Sequence, residues 1–158
     1  MSSETIVTAL FLISAVIAAG VLINAIFPAI YRTADTFGSV SSQADTEMRT
    51  DFKIVNTYAK DNDAKIWLKN VGSARLHTNE VNDIEIFIGA VGNFDRLPPG
   101  SRTYTIEDNT NSYWDPGETL TFVITDSELV SRAGSGGDVY LSIVVPNGVS
   151  RTQVFTKS

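Results

Sequence analysis

The pattern of apolar and polar positions along the chain changes near residue 32. Residues 6–30 form a run of about 25 uncharged, mostly apolar positions, whose polar side chains are Thr8, Ser14 and Asn24. At ~1.5 Å of rise per residue, a helix over this run would be about 37 Å long and would cross a hydrocarbon core of about 30 Å with some tilt. Since the run is apolar on every face, segment 1–32 is predicted to be a transmembrane helix.

A cleaved secretory signal is the alternative for an apolar N-terminal run. Such signals carry a basic n-region and an apolar core of only ~7–15 residues, whereas this chain begins MSSET, with no Lys or Arg before a much longer run. We therefore expect the segment to remain as an anchor, with Glu4 at its boundary.

The end of the apolar run carries features of a membrane interface. Tyr31 and Arg32 suit the headgroup level, and Pro28 is expected to kink the last turns of the helix. Residues 33–47 are rich in Ser, Thr, Asp and Gly and lack a sustained period, so they are predicted to be a polar linker or stalk. The balance of basic residues around the run does not assign an orientation.

Small and polar residues within the run provide candidate helix contacts. Ala15 and Ala19 lie four residues apart, a spacing that admits a close-packed neighbouring helix. Asn24 is positioned either to bond across to a partner helix or to bond back to its own chain.

Beyond the linker the hydrophobic period becomes two. In DIEIFIG, for example, Ile84, Ile86 and Ile88 alternate with other residues, as in a half-buried strand. About seven to eight such strands in residues 48–158 predict an all-β, immunoglobulin-like sandwich without the Cys and Trp signature of antibody domains. No helix is predicted after residue 47. The expected strands lie near 52–58, 64–69, 84–89, 102–106, 119–125, 138–145 and 149–156.

Composition narrows the classes of function. The net charge of −6 and pI near 4.6 disfavour nucleic acid, which requires a basic surface. There is no Cys, so thiolate chemistry and disulfides are excluded. With His77 as the single histidine, no His-rich metal site can form, and we expect no enzymatic activity. The glycine-rich AGSGGD lacks the residues of a phosphate loop and is read as a turn.

One loop carries hard oxygen ligands of the kind that Ca²⁺ takes. In EDNTNSYWD, Asp108, Asn111 and Asp115 are weak calcium candidates, flanked by Glu107 and Asn109. The spacing fits no EF-hand, and a solvated loop with Asx turns is the plainer interpretation. No cofactor is expected.

The quoted segments together resemble a known family. The opening SSETIVTALFLISAVIAAGVLINAIFPAIYR, followed by DFKIVNTYA, IWLKNVG, GNFDRL and WDPGETL, is similar to the G-type accessory proteins (FlaG) of the archaeal flagellum, or archaellum. This FlaF/FlaG family shares its plan with archaellins and type IV-like pilins. The opening helix is the most specific part of the resemblance.

The resemblance implies a structural role in motility. It implies a membrane helix with the sandwich outside the cytoplasmic membrane, in the pseudoperiplasm of an archaeon. It further implies a stator component that works with the related F-type protein and, through it, with the surface-layer lattice. Pairing of exposed sheet edges would make the protein a homo-oligomer.

Two other functions stay open. A filament subunit would pack segment 1–32 in a helical core, where Glu4 pairs with the terminal amine of a neighbouring subunit. The absence of a basic leader and of Asn-x-Ser/Thr acceptors favours the accessory protein. An envelope module that binds carbohydrate or peptide would use loop aromatics such as Phe94, Tyr113 and Trp114, unless Trp114 packs against the end of the sandwich.

Overall fold

A computed structural model describes residues 2–108 and 110–158 of the chain. The chain forms two compact units, the first ending at Gln43 and the second spanning Ala44–Ser158. The first unit consists of helix, whereas the second contains the last helical turns and all of the β-structure.

Helix α1 extends from Ser3 to Arg49, 47 residues in total, so the predicted N-terminal helix is confirmed. It passes through Pro28 without interruption. The prediction that residues 33–47 lack helical structure is wrong, because this whole segment is helical; its role as a stalk stays a prediction. Its hydroxyl side chains bond to helix carbonyls one turn back, as Thr33 does to Ala29 O and Thr36 to Arg32 O, both at 2.8 Å. Such bonds satisfy polar side chains without breaking a helix.

The second unit is a β-sandwich of two antiparallel four-stranded sheets, with strand orders β1-β2-β8-β6 and β10-β9-β4-β5, and a small β3-β7 pair. The seven predicted strands are confirmed. Sequence analysis missed three short strands, β3, β5 and β7, and it missed two short helices after residue 47, because elements of two to five residues show no period. The elements are β1 Phe52–Lys60, β2 Asp63–Asn70, β3 Leu76–His77, α2 Thr78–Asn82, β4 Glu85–Ala90, β5 Asn93–Arg96, a 3₁₀ turn Pro99–Ser101, β6 Arg102–Ile106, β7 Tyr113–Trp114, β8 Thr119–Ile124, α3 Glu128–Ser131, β9 Asp138–Val144 and β10 Ser150–Thr156.

A single apolar core lies between the two sheets. In β2 and β8 the inward residues face each other in register, as Ile66 does Phe122, and in the other sheet Ile88 pairs with Leu141. Alternate positions of each strand therefore point away from the core. Strand β1 contains an irregularity between Ile54 and Asn56, which leaves the extra residue Val55 exposed.

Arg102 fastens the edge strand β6 to the segment before β4. Its guanidinium donates hydrogen bonds to the carbonyls of Asn82, at 2.8 Å, and of Ile84. It lies 5.1 Å from the centre of the Phe122 ring. Burial, and secondarily the charge of Arg96, lowers the pKa of Arg102, while Glu85 opposes this shift. The guanidinium nonetheless stays charged at physiological pH, so this staple does not depend on pH in that range.

Truncating a core side chain should test the two-sheet packing. Leu120 is fully buried on β8, so Leu120→Ala removes buried methyl groups and leaves a cavity. We expect a loss of about 2–5 kcal/mol in the free energy of unfolding. The control is Val154→Ala on β10, where the side chain is 51% exposed and the change should stay within about 0.5 kcal/mol. Urea unfolding of the full chain in detergent measures both, and equal losses would contradict the assigned core.

Candidate functional site: the helix surface and the junction at its end

The surface of α1 is the largest apolar surface that the structure leaves uncovered. No described residue of the helix is buried, and large side chains such as Phe11 and Val16 are each 72% exposed. An exposed apolar surface of this extent marks a membrane or an assembly contact. Of the helices in the described residues, α1 alone is long and apolar enough to span a membrane.

Most polar side chains in the apolar run are satisfied within the helix. Thr8 donates to Glu4 O and Ser14 donates to Leu10 O, both at 2.8 Å. The side chain of Asn24 makes no hydrogen bond to the described residues. Pro28, one turn later, has no N–H, so the carbonyl of Asn24 also lacks its usual helical donor. The side-chain amide and the backbone carbonyl of Asn24 are therefore available to another molecule in an otherwise apolar surface.

The other predicted helix residues are exposed. Glu4 lies in the first helical turn, and Ala15 and Ala19 share one face a turn apart. The ring of Tyr31 stacks on that of Phe27, with centroids 6.3 Å apart. The positions suit the anchoring and packing roles predicted for them, which stay predictions.

Two of the three calcium candidates bond to each other within their own loop, while Asp108 is exposed. The side-chain nitrogen of Asn111 donates to the Asp115 carboxylate at 2.8 Å, and the Asn111 side-chain oxygen accepts from Tyr113 N in an Asx turn. Asn109 lies outside the described residues. Among the described residues, no three His, Cys, Asp or Glu side chains converge to hold a metal ion. The arrangement is that of a hydrogen-bonded loop.

Each of the loop aromatics contacts a neighbour within the protein. Trp114 is fully buried and donates from its indole nitrogen to Glu118 O at 3.0 Å, so the interpretation that it packs inside the sandwich is confirmed. Tyr113 is held edge-on by His77, with ring centroids 5.1 Å apart. Phe94 is stacked on Tyr140 at 4.2 Å. These contacts engage each ring within the protein.

A second candidate site is the junction where the chain leaves α1 and enters β1. The carbonyl of Arg49 accepts from Ser73 N and Ala74 N, and the carbonyl of Asp51 accepts from the amides of residues 71 and 72, all at 2.9–3.0 Å. Gly72 lies directly against this strand: a Cβ there would be 2.4 Å from Asp51 N and 2.5 Å from Arg49 O. Residues 71–74, which begin with the last two residues of the KNVG segment, thus hold the exit of the helix by four backbone hydrogen bonds.

Asn70 connects the junction to the WDPGETL turn. Its buried side chain donates to Ala74 O at 2.9 Å and to Trp114 O at 3.2 Å, and it accepts from Gly72 N. Its own carbonyl accepts from Gly117 N at 2.8 Å. Two segments that sequence analysis treated as separate motifs therefore form one hydrogen-bonded unit. The signal that could have revealed it is the Asn-x-Gly spacing after a buried strand, which predicts a side-chain-capped turn.

An ion pair closes the other side of the junction. The Arg151 guanidinium on β10 donates to the Asp51 carboxylate at 2.5 Å and lies 5.8 Å from the Phe52 ring centre. Both charged side chains are more than 40% exposed, so the pair contributes little to stability. The backbone bonds at Gly72, rather than this charge pair, determine the path of the chain.

Substitution of Gly72 should disrupt the junction. In Gly72→Ala the added Cβ would overlap the backbone of residues 49 and 51, which has to move, and we expect a loss of about 1–3 kcal/mol in unfolding free energy. The control Gly100→Ala adds the same methyl group where no atom lies within 4 Å. Thermal unfolding of both full-length variants measures the difference. An unchanged melting temperature of Gly72→Ala would show that residue 72 does not lie against the backbone of residues 49 and 51.

Removal of the Asn24 amide should weaken helix association. For Asn24→Ala we expect the dissociation constant of helix-mediated oligomers in bilayers to rise about 3–30-fold, the range of one interhelical hydrogen bond. The matched control is Ser14→Ala, because that hydroxyl is already bonded to Leu10 O. Chemical cross-linking in liposomes, with a reagent that does not require cysteine, measures the yield of oligomers for both variants. Identical yields would rule out a role for Asn24 in association.

The chain is similar in sequence to known archaeal proteins. The family model described as archaeal-type flagellin matches residues 2–155. An uncharacterized protein of Archaeoglobus fulgidus is 29% identical over 164 residues, which cover 99% of each chain.

Solved structures share the fold of part or all of this chain. The archaellum periplasmic stator protein FlaG of Sulfolobus acidocaldarius is similar with a TM-score of 0.53 and 21% identity, over 67% of this chain and 99% of that one. Its complex with FlaF gives the same score and identity over 66% and 87%. The archaeal flagellum of Methanospirillum hungatei is similar with a TM-score of 0.71 and 16% identity, over 100% and 94%. At these identities the likeness establishes the fold, a helix followed by a β-sandwich.

Proposed function

We propose that this chain, which belongs to the archaeal-type flagellin family, is a stator component of the archaellum. In this proposal α1 fixes the protein in the cytoplasmic membrane, with its sandwich outside, in the pseudoperiplasm. In this role it bears load and catalyses no reaction. The only histidine, His77, has a structural role, because its Nδ1 accepts a hydrogen bond from Asn79 N at 3.1 Å in the N-cap of α2.

One observation carries the stator proposal. The likeness to the stator protein FlaG spans 99% of that solved chain and 67% of this one. This chain also carries α1, which is long and apolar enough to anchor in a membrane. A static motor part needs an attachment to the membrane and a domain that binds a fixed structure. The chain supplies one element for each requirement.

The partners follow from the same likeness. FlaG of S. acidocaldarius occurs in a complex with FlaF, so an F-type protein is the proposed partner of this sandwich. Through that protein, or directly, the sandwich would reach the surface-layer lattice, and several copies would share the load as a homo-oligomer.

A filament subunit is the second candidate, favoured by a specific observation. The likeness to the M. hungatei flagellum covers all of this chain, helix included. In a filament the uncovered polar groups of Asn24 would meet neighbouring helices, and Glu4 would pair with the terminal amine of another subunit in a low-dielectric core.

Electron microscopy of the full-length protein, with mass spectrometry of its N-terminus, distinguishes the two candidates. A stator component should give small, detergent-dependent oligomers that co-purify with the F-type partner, and Glu4→Gln should leave their size unchanged. Long filaments that are lost in Glu4→Gln, while Glu47→Gln on the same helix preserves them, would replace the stator proposal with the filament subunit.

A further inference from the structure

The outward face of the sheet β1-β2-β8-β6 collects most of the lysines of the chain. The sequence contains five lysines, and four of them, Lys53, Lys60, Lys65 and Lys69, are exposed at outward positions of β1 and β2. The whole chain carries a net charge of −6, so this cluster of four lysines is opposite in sign to the net charge of the chain. We call this surface the lysine face.

Two of these lysines oppose each other without an anion between them. Lys53 and Lys69 are a directly opposed cross-strand pair. Like charges at such positions are destabilising, because the Cβ atoms are only about 5 Å apart. None of the ion pairs among the described residues includes a lysine. The face therefore retains an unfavourable charge arrangement that an external anion would relieve.

An aromatic ring lies between the cations. On β2 the outward residues are Lys65, Trp67 and Lys69 in succession, and Trp67 is half-buried against the sheet while Tyr58 beside it is 43% exposed. Successive outward residues of a strand lie about 6.6 Å apart, so the two lysine stems are about 13 Å apart with the indole midway. This is a repeat of cation, ring and cation along a straight line.

The rest of the lysine face is rich in hydroxyl groups, with Val123 as an apolar position opposite Lys65. Outward positions of β8 and β6 carry threonines, and Trp67 lies opposite Asn56 on one side and Thr121 on the other. Of the outward positions on these four strands, all described, Asp63 carries the one carboxylate, at the hairpin end beside Lys60. The cationic part is thus centred on Trp67.

We propose that the lysine face binds an acidic polysaccharide, with uronic acid rings stacked on Trp67 and their carboxylates paired with Lys53, Lys65 and Lys69. Charge complementarity identifies the ligand as an anion, and the intervals along β2 suit an extended polymer. Short hydroxyl and amide side chains beside an aromatic ring match the alternating apolar and hydroxylated faces of a sugar. A protein partner would instead need a large apolar centre. This inference holds for either proposed function.

The test uses immobilised polygalacturonate and the full-length protein in neutral detergent. Wild-type protein should bind this polymer, should release it as salt rises, and should not bind the methyl-esterified polymer, which has the same backbone without charge. Lys53→Thr/Lys69→Thr should weaken binding about tenfold while its melting temperature stays equal or rises, because the opposed charges are gone. Trp67→Thr should weaken binding to polygalacturonate, seen as lost retention at low salt, because the ring on which a sugar would stack is gone.

The control removes the same charge elsewhere. Arg96→Gln/Arg132→Gln alters two arginines outside the lysine face that pair with Glu85 and Asp95, and binding should be unchanged. Undiminished binding of Lys53→Thr/Lys69→Thr would overturn the proposal, as would equal weakening in the arginine control. Absence of polygalacturonate binding by the wild type, or binding only to vesicles of phosphatidylglycerol, would also overturn it, the latter in favour of a membrane surface.

Discussion

The backbone hydrogen bonds that receive the chain as it leaves α1 determine where the sandwich begins. The carbonyls of Arg49 and Asp51 each accept two amides from the turn after β2, and only a residue without a Cβ fits at position 72. Because β1 starts directly after this clamp, Phe52 enters the core at the first position of the first strand. The register of β1 on β2, and through β2 that of the whole sheet, follows from that starting point.

The buried amide of Asn70 extends this constraint to β7 and the turn that follows it. Its side chain bonds to Ala74 and Trp114, and its carbonyl receives Gly117, so residues more than forty positions apart close one turn onto another. A buried polar side chain is tolerated because it is fully hydrogen-bonded. The cost of losing any one partner is correspondingly high, which makes these contacts specific as well as stabilising.

Sequence reasoning succeeded where a period is long enough to read. Composition predicts the apolar run of α1, and the alternation of apolar and polar residues predicts strands of five or more residues such as β8. It failed for residues 33–47, because their composition is typical of loops although their hydroxyl groups bond to helix carbonyls one turn back. It could not place Asn70 against Trp114, since that contact depends on the packing of distant segments. The lysine face likewise emerges only when the pairing of β1 with β2 is known.

The order of elements along the chain has a consequence for biogenesis. The apolar helix is synthesised first, whereas β9, which supplies the buried Val139, Leu141 and Ile143, is almost the last element to leave the ribosome. Since domains complete folding only when their core strands are available, the sandwich cannot close until translation is nearly finished. The apolar helix is therefore complete before the sandwich closes, and during this interval the apolar residues of the unfinished sheet lack their partner strand.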